Sequence, residues 1–158
     1  MFKKLGDLIM NKQIFTELEQ QSKLDGVERF VVAAIIVDQD NFLLLQRPKD
    51  DFMGGIYELP SGKVENNETL ENALIREVLE ETGLSVQKIL DYVGHFEYLS
   101  KSGQNTRQFN FTVEISKPYD IKLSEHDSYI WTSIHDLSQY NVTDSTKSIL
   151  EKIGSPIP

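Results

Sequence analysis

The stretch at positions 62–84, GKVENNETLENALIREVLEETGL, decides how this 158-residue chain is read. Its second half predicts a helix over 70–82: Thr69 is placed to cap it, Glu71 lies in the first turn, and Gly83 stands where helices stop. Glu77, Glu80 and Glu81 are spaced i, i+3 and i+4, so they share one helical face. Leu70 and Ala73 fall in the same arc and Leu74 borders it, so the stripe is apolar at its start and acidic at its end. Negative charge at a helix C-terminus opposes the dipole, and the three carboxylates repel one another. A bound cation would relieve both. The donors are all oxygens, which suits a hard divalent ion, Mg²⁺ first and Mn²⁺ second. Taken alone, the same residues also describe a solvated acidic helix end.

Outward from the helix the chain is rich in strands. Residues 30–37 are eight apolar residues heavy in Val and Ile, the mark of a buried strand. A polar turn at 38–41 joins them to a second strand over 42–45. Residues 57–59 read as a short extended piece and 61–67 as a polar loop. Further strands are predicted over 86–99, 109–115 and 128–132, and a terminal helix over 143–153. The order predicts a layered α/β (α+β) sandwich. Residues 1–26 form a helical extension packed on the domain or on a second subunit, which would make a homodimer. Residues 27–158 form the domain proper.

The composition narrows the options. The chain has 16 Lys+Arg against 25 Asp+Glu, a net charge of −9, and no cysteine. That excludes disulfides, thiolate metal sites and thiol nucleophiles. The acidic balance argues against stable nucleic-acid binding, which needs a cationic surface. No apolar run approaches the roughly 20 residues of a membrane span, and the first residues lack the pattern of a targeting segment. The expected location is the cytoplasm. A polyphosphate substrate would have to be attracted through a metal ion.

Gly62, Glu68, Arg76-Glu77-Val78, Glu80-Glu81 and Gly83-Leu84 fit the box G-x5-E-x7-R-E-U-x-E-E-x-G-U, where U is a bulky apolar residue. The fixed identities put a chance match on the order of 10⁻⁶. In this the chain resembles the Nudix (MutT-like) hydrolases. The likeness extends over about residues 28–152: strand 30–37 with the following Leu43-Leu44-Leu45-Gln46-Arg47, the segment Tyr57-Glu58-Leu59-Pro60-Ser61-Gly62, and Glu125-His126-Asp127 before Trp131. Two positions depart from the family's habit. Ser61 replaces a glycine, which predicts a slightly altered loop because Ser takes positive φ less readily, and Tyr57 replaces a tryptophan.

The resemblance implies a Nudix-type α/β/α sandwich with a mixed sheet and a catalytic loop–helix. It also implies hydrolysis of a diphosphate linkage in a nucleoside diphosphate derivative by water attack at phosphorus. Glu77, Glu80 and Glu81 would hold the divalent ions. One of them, or a later glutamate, would take the water's proton: Glu125 first, then Glu97 or Glu114. Glu68 and Arg76 would form a structural ion pair, with Gly62 giving close backbone approach and Gly83 ending the helix. Arg47 and Arg107 are candidate phosphate contacts, and Tyr57, with Phe52, Tyr98 and Phe109, a candidate base contact. The three histidines read as bystanders. Signatures of the ADP-ribose, dinucleoside-polyphosphate, coenzyme A and isomerase branches are missing. A MutT-like nucleoside triphosphate pyrophosphatase is therefore the expected activity. The alternatives are an ADP-ribose, nucleotide-sugar or dinucleoside-polyphosphate hydrolase, or a non-catalytic nucleotide-binding module.

Overall fold

The computed structural model describes residues 12–154. Helix α1 (Gln13–Leu24) precedes strands β1 (Arg29–Asp38), β2 (Asn41–Gln46), β3 (Tyr57–Glu58) and β4 (Ser61–Lys63). Then come α2 (Leu70–Thr82), β5 (Val86–Leu99), β6 (Asn105–Ile115), β7 (Ser128–Ser133), a 3₁₀ turn (Leu137–Gln139) and α3 (Asp144–Gly154). The helical reading of 2–11 lies outside the described residues.

The sheet is mixed, as expected. β1 runs parallel to β6, with Val32 opposite Phe109, and antiparallel to β4, with Val32 opposite Gly62. Its last residues pair with the start of β2, and β2 pairs along its whole length with β7. Alternation along β1 explains the unbroken apolar run. Val32, Ala34 and Ile36 pack with α1 and α2, while Ala33 and Ile35 pack with Ile149 and Leu150 of α3. A strand covered on both faces has no polar side to show. The result is helices on both faces of one sheet.

Two expected boundaries shift. β4 occupies part of the expected polar loop, because Ser61-Gly62-Lys63 is held by backbone pairing to β1 and three residues leave no period to read. β6 begins at Asn105 rather than 109, since Thr106, Arg107 and Gln108 are polar yet buried.

Helix α1 is built into the domain. Phe15 is buried against Phe111, ring centroids 5.5 Å apart. Ser22 and Asp25 accept hydrogen bonds from the buried Arg107 guanidinium at 3.2 and 3.0 Å. Glu19 accepts from the Leu70 backbone N–H at 3.2 Å, filling one of the open donors at the start of α2. Thr69 caps the same end by accepting from Asn72 N–H, and Gly83 closes the other in the left-handed conformation, φ 74°. α2 is thus fixed at both ends, and its last turn lies against β4.

Candidate active site

A cleft of about 680 Å³ lies where α2, β4, the 48–55 loop and the β5–β6 turn meet. Glu77, Glu80 and Glu81 all line it. Their environments differ: the side chains of Glu77 and Glu81 are 14% and 9% exposed, that of Glu80 57%. Burial is the largest influence on both inner groups. It raises the Glu77 pKa, and it pushes Glu81 up to about 8 although the Ser61 N–H donates to its carboxylate at 2.8 Å. The charges of Glu58, Glu77 and Glu125 push Glu81 the same way.

Arg76 organises the outer side. Its Nε and Nη2 grip both oxygens of Glu68 at 2.7 and 2.8 Å, and Nη2 also donates to the Lys63 carbonyl. Its Nη1 reaches Glu77 at 2.7 Å and Glu80 at 3.2 Å. The Arg76 hydrogen bonds hold Glu68 down to about 2 against the opposing effect of burial. Gly62 faces Glu77 so closely that an added Cβ would lie 1.9 Å from the Glu77 carboxyl carbon.

The donors fit a divalent ion. They are carboxylate oxygens, two are nearly buried, and burying such charge without a cation is unfavourable. Among the described residues no three His, Cys, Asp or Glu side chains are already drawn into a ligand cage. Arg76 occupies Glu77 and Glu80 instead.

The other expected residues divide. Glu125 is exposed at the cleft wall. Glu97 and Glu114 lie on strands, paired with Arg107 and Lys88. Tyr57 lines the cleft with its ring edge-on to Tyr140 at 5.2 Å. Phe52 and Tyr98 also line it, whereas Phe109 is fully buried core. Arg47 lines it too, but its fork is taken by the Phe52 carbonyl, Asp51 and Glu58. Arg107 is not among the lining residues, and its fork holds Glu97 and Asp25. Ser61 has no positive φ, so serine strains nothing there; what the site uses is its N–H.

His126 corrects the bystander reading. Its side chain is 6% exposed, with Nε2 2.8 Å from a Glu58 oxygen and Nδ1 3.2 Å from Glu81. Nδ1 makes no hydrogen bond in proper geometry. The available signal was its place between Glu125 and Asp127, directly before the late strand.

The NUDIX domain family model matches residues 27–153. A CTP pyrophosphohydrolase of Escherichia coli K12 is 29% identical over 127 residues, spanning 77% of this chain and 87% of its own length. A putative 8-oxo-dGTP diphosphatase 2 of Mycobacterium tuberculosis is 43% identical over 114 residues, 70% of this chain and 77% of that one. Among solved structures, the E. coli ORF135 protein superposes with a TM-score of 0.69 at 29% identity, over 82% of this chain and 91% of that one. The MutT protein of Methanosarcina mazei gives the same TM-score and identity, over 78% and 91%. The family model covers most of the chain, and the chain belongs to the Nudix family. Within that family it is a MutT-like pyrophosphohydrolase.

Proposed function

We propose that this protein is a divalent-metal-dependent nucleoside triphosphate pyrophosphohydrolase. The observation that carries the reading is the pair of nearly buried carboxylates, Glu77 and Glu81, at the wall of a nucleotide-sized cleft, with the accessible Glu80 beside them. The names of the relatives, which include 8-oxo-dGTP and CTP hydrolases, support a triphosphate substrate.

Glu77, Glu80 and Glu81 would hold the ions, Mg²⁺ by preference and Mn²⁺ as a substitute. When bound, such ions neutralise phosphate charge and acidify the attacking water. The chain's own groups supply the rest. Ser61 N–H fixes one oxygen of Glu81. Glu125, exposed at the same wall, would accept the water's proton. Tyr57 lends an aromatic surface to the base. Arg47 is drawn toward phosphate if it exchanges Asp51 for the substrate. We assign Arg107 to anchoring α1 rather than to substrate.

The test is a panel with Mg²⁺: canonical and oxidised nucleoside triphosphates, ADP-ribose, dinucleoside polyphosphates and nucleotide sugars. Wild type and Glu80→Gln are compared. Glu80 is largely exposed, so the variant keeps its fold. It is expected to lose about 100-fold or more in kcat on triphosphates. Equal turnover by both proteins, or none by either, removes the assignment.

A further inference from the structure

We propose that His126 is a positioning residue: anchored by Glu58 through one ring nitrogen, its buried imidazole sets the Glu81 carboxylate from the side opposite Ser61. This rests on the reading of Glu81 as a metal-holding group, and it adds a residue that the box does not contain.

The geometry is a closed set of constraints. Ser61 N–H meets Glu81 Oε1, and His126 Nδ1 stands 3.2 Å from Glu81 Oε2, so each oxygen faces one protein group. The ring cannot swing away, because it is almost wholly buried and its Nε2 contacts Glu58 at 2.8 Å. Glu58 is fixed in turn. Its backbone pairs with Leu45, and both its oxygens face Arg47 Nη1 at 3.4 Å. Arg47 holds Asp51 and the Phe52 carbonyl, so the series continues into the loop at the cleft rim.

Nδ1 has no hydrogen-bond partner, although its surroundings are buried. A polar atom left so lowers stability, so Nδ1 contributes nothing to the fold, whereas Nε2 is held by Glu58. The nitrogen therefore answers to the site rather than to the fold. Groups that orient a ligand carboxylate set both the ion's affinity and the reaction's geometry, and losing one typically costs 10–100-fold.

The experiment uses the full chain and four variants: His126→Leu, His126→Gln, Glu58→Gln and the double variant of His126→Leu with Glu58→Gln. Mn²⁺ binding is titrated by electron paramagnetic resonance without nucleotide. Then kcat, KM and Tm are measured. His126→Leu is expected to melt within about 4 °C of wild type, to bind Mn²⁺ about 10-fold more weakly, and to lose 10–100-fold in kcat with KM within about twofold. His126→Gln recovers part of both losses, and adding Glu58→Gln to His126→Leu changes little more. A fall in Tm with Mn²⁺ affinity and kcat within threefold of wild type overturns the proposal, as does a loss confined to KM. If His126→Leu does not fold, the Gln variants decide on the same readouts. If wild type binds Mn²⁺ but hydrolyses no nucleotide, the substrate reading falls, while the Mn²⁺ comparison still decides His126.

Discussion

Gly62→Ala separates the fold from the chemistry more cleanly than any change to a charged residue. Gly62 lies outside the left-handed backbone region, so alanine meets no strain of its own. The new methyl, however, would sit 1.9 Å from the Glu77 carboxyl carbon, where ordinary contact begins at 3.4 Å. The carboxyl must retreat by about 1.5 Å, and as the free end of a side chain it can do so by rotation. Stability changes little. Loosening the 2.7 Å contact with Arg76 costs about 1 kcal/mol, and the stiffer unfolded chain returns about half of that or more. The net shift in Tm is no more than about 4 °C for a chain of this size. Catalysis loses far more. A misplacement of about 1 Å costs on the order of 10²-fold, roughly 2.7 kcal/mol of transition-state stabilisation. Circular dichroism and thermal melts follow the fold, and steady-state hydrolysis of the best triphosphate follows kcat. Wild-type turnover in a folded Gly62→Ala protein would refute the placement of Glu77 at the reacting centre.

Two further predictions concern the charged networks. Glu68 is held near 2 by Arg76, well below its ordinary 4.5, so its share of stability is complete above about pH 4.5 and disappears as pH falls toward 2. After allowance for solvent screening that share is about 1–2 kcal/mol, and wild type should lose Tm between pH 5 and 2.5 more steeply than Glu68→Gln, with parallel curves counting against it. Arg107→Met removes a buried guanidinium from Glu97, Asp25 and Ser22. Both carboxylates are partly exposed and can be hydrated, so the expected cost is about 1–2 kcal/mol rather than that of a stranded buried charge. The same variant should open residues 12–26 to limited proteolysis, and an unchanged digestion pattern would show that Arg107 does not anchor α1.

What was legible in the sequence follows from how locally each feature is encoded. Helix α2 carries its cap, its stop and its acidic face within one stretch, and all were readable. β1 was readable because both of its faces are apolar. β4 was not, since its identity lies in backbone pairing with β1. His126 was not, since its anchor Glu58 lies 68 residues away and only the fold brings the two together. Arg107 misled for a related reason: arginine's fork suits phosphates and carboxylates equally, and its partner Asp25 lies 82 residues off, in the N-terminal helix.

The chain's net charge of −9 also takes on a structure. Within one short region the same chemical group is set in two opposite ways. Glu68, gripped by a guanidinium, is held down to about 2, while Glu81, walled in by protein and other carboxylates, is pushed up to about 8. Arg76 touches Glu68, Glu77 and Glu80 but makes no ion pair with Glu81. On the proposed reading, a cation in the cleft would compete with Arg76 for Glu77 and Glu80, and would meet no guanidinium at Glu81. The positive charge that a polyphosphate substrate would need would then come from the bound cation rather than from the protein surface.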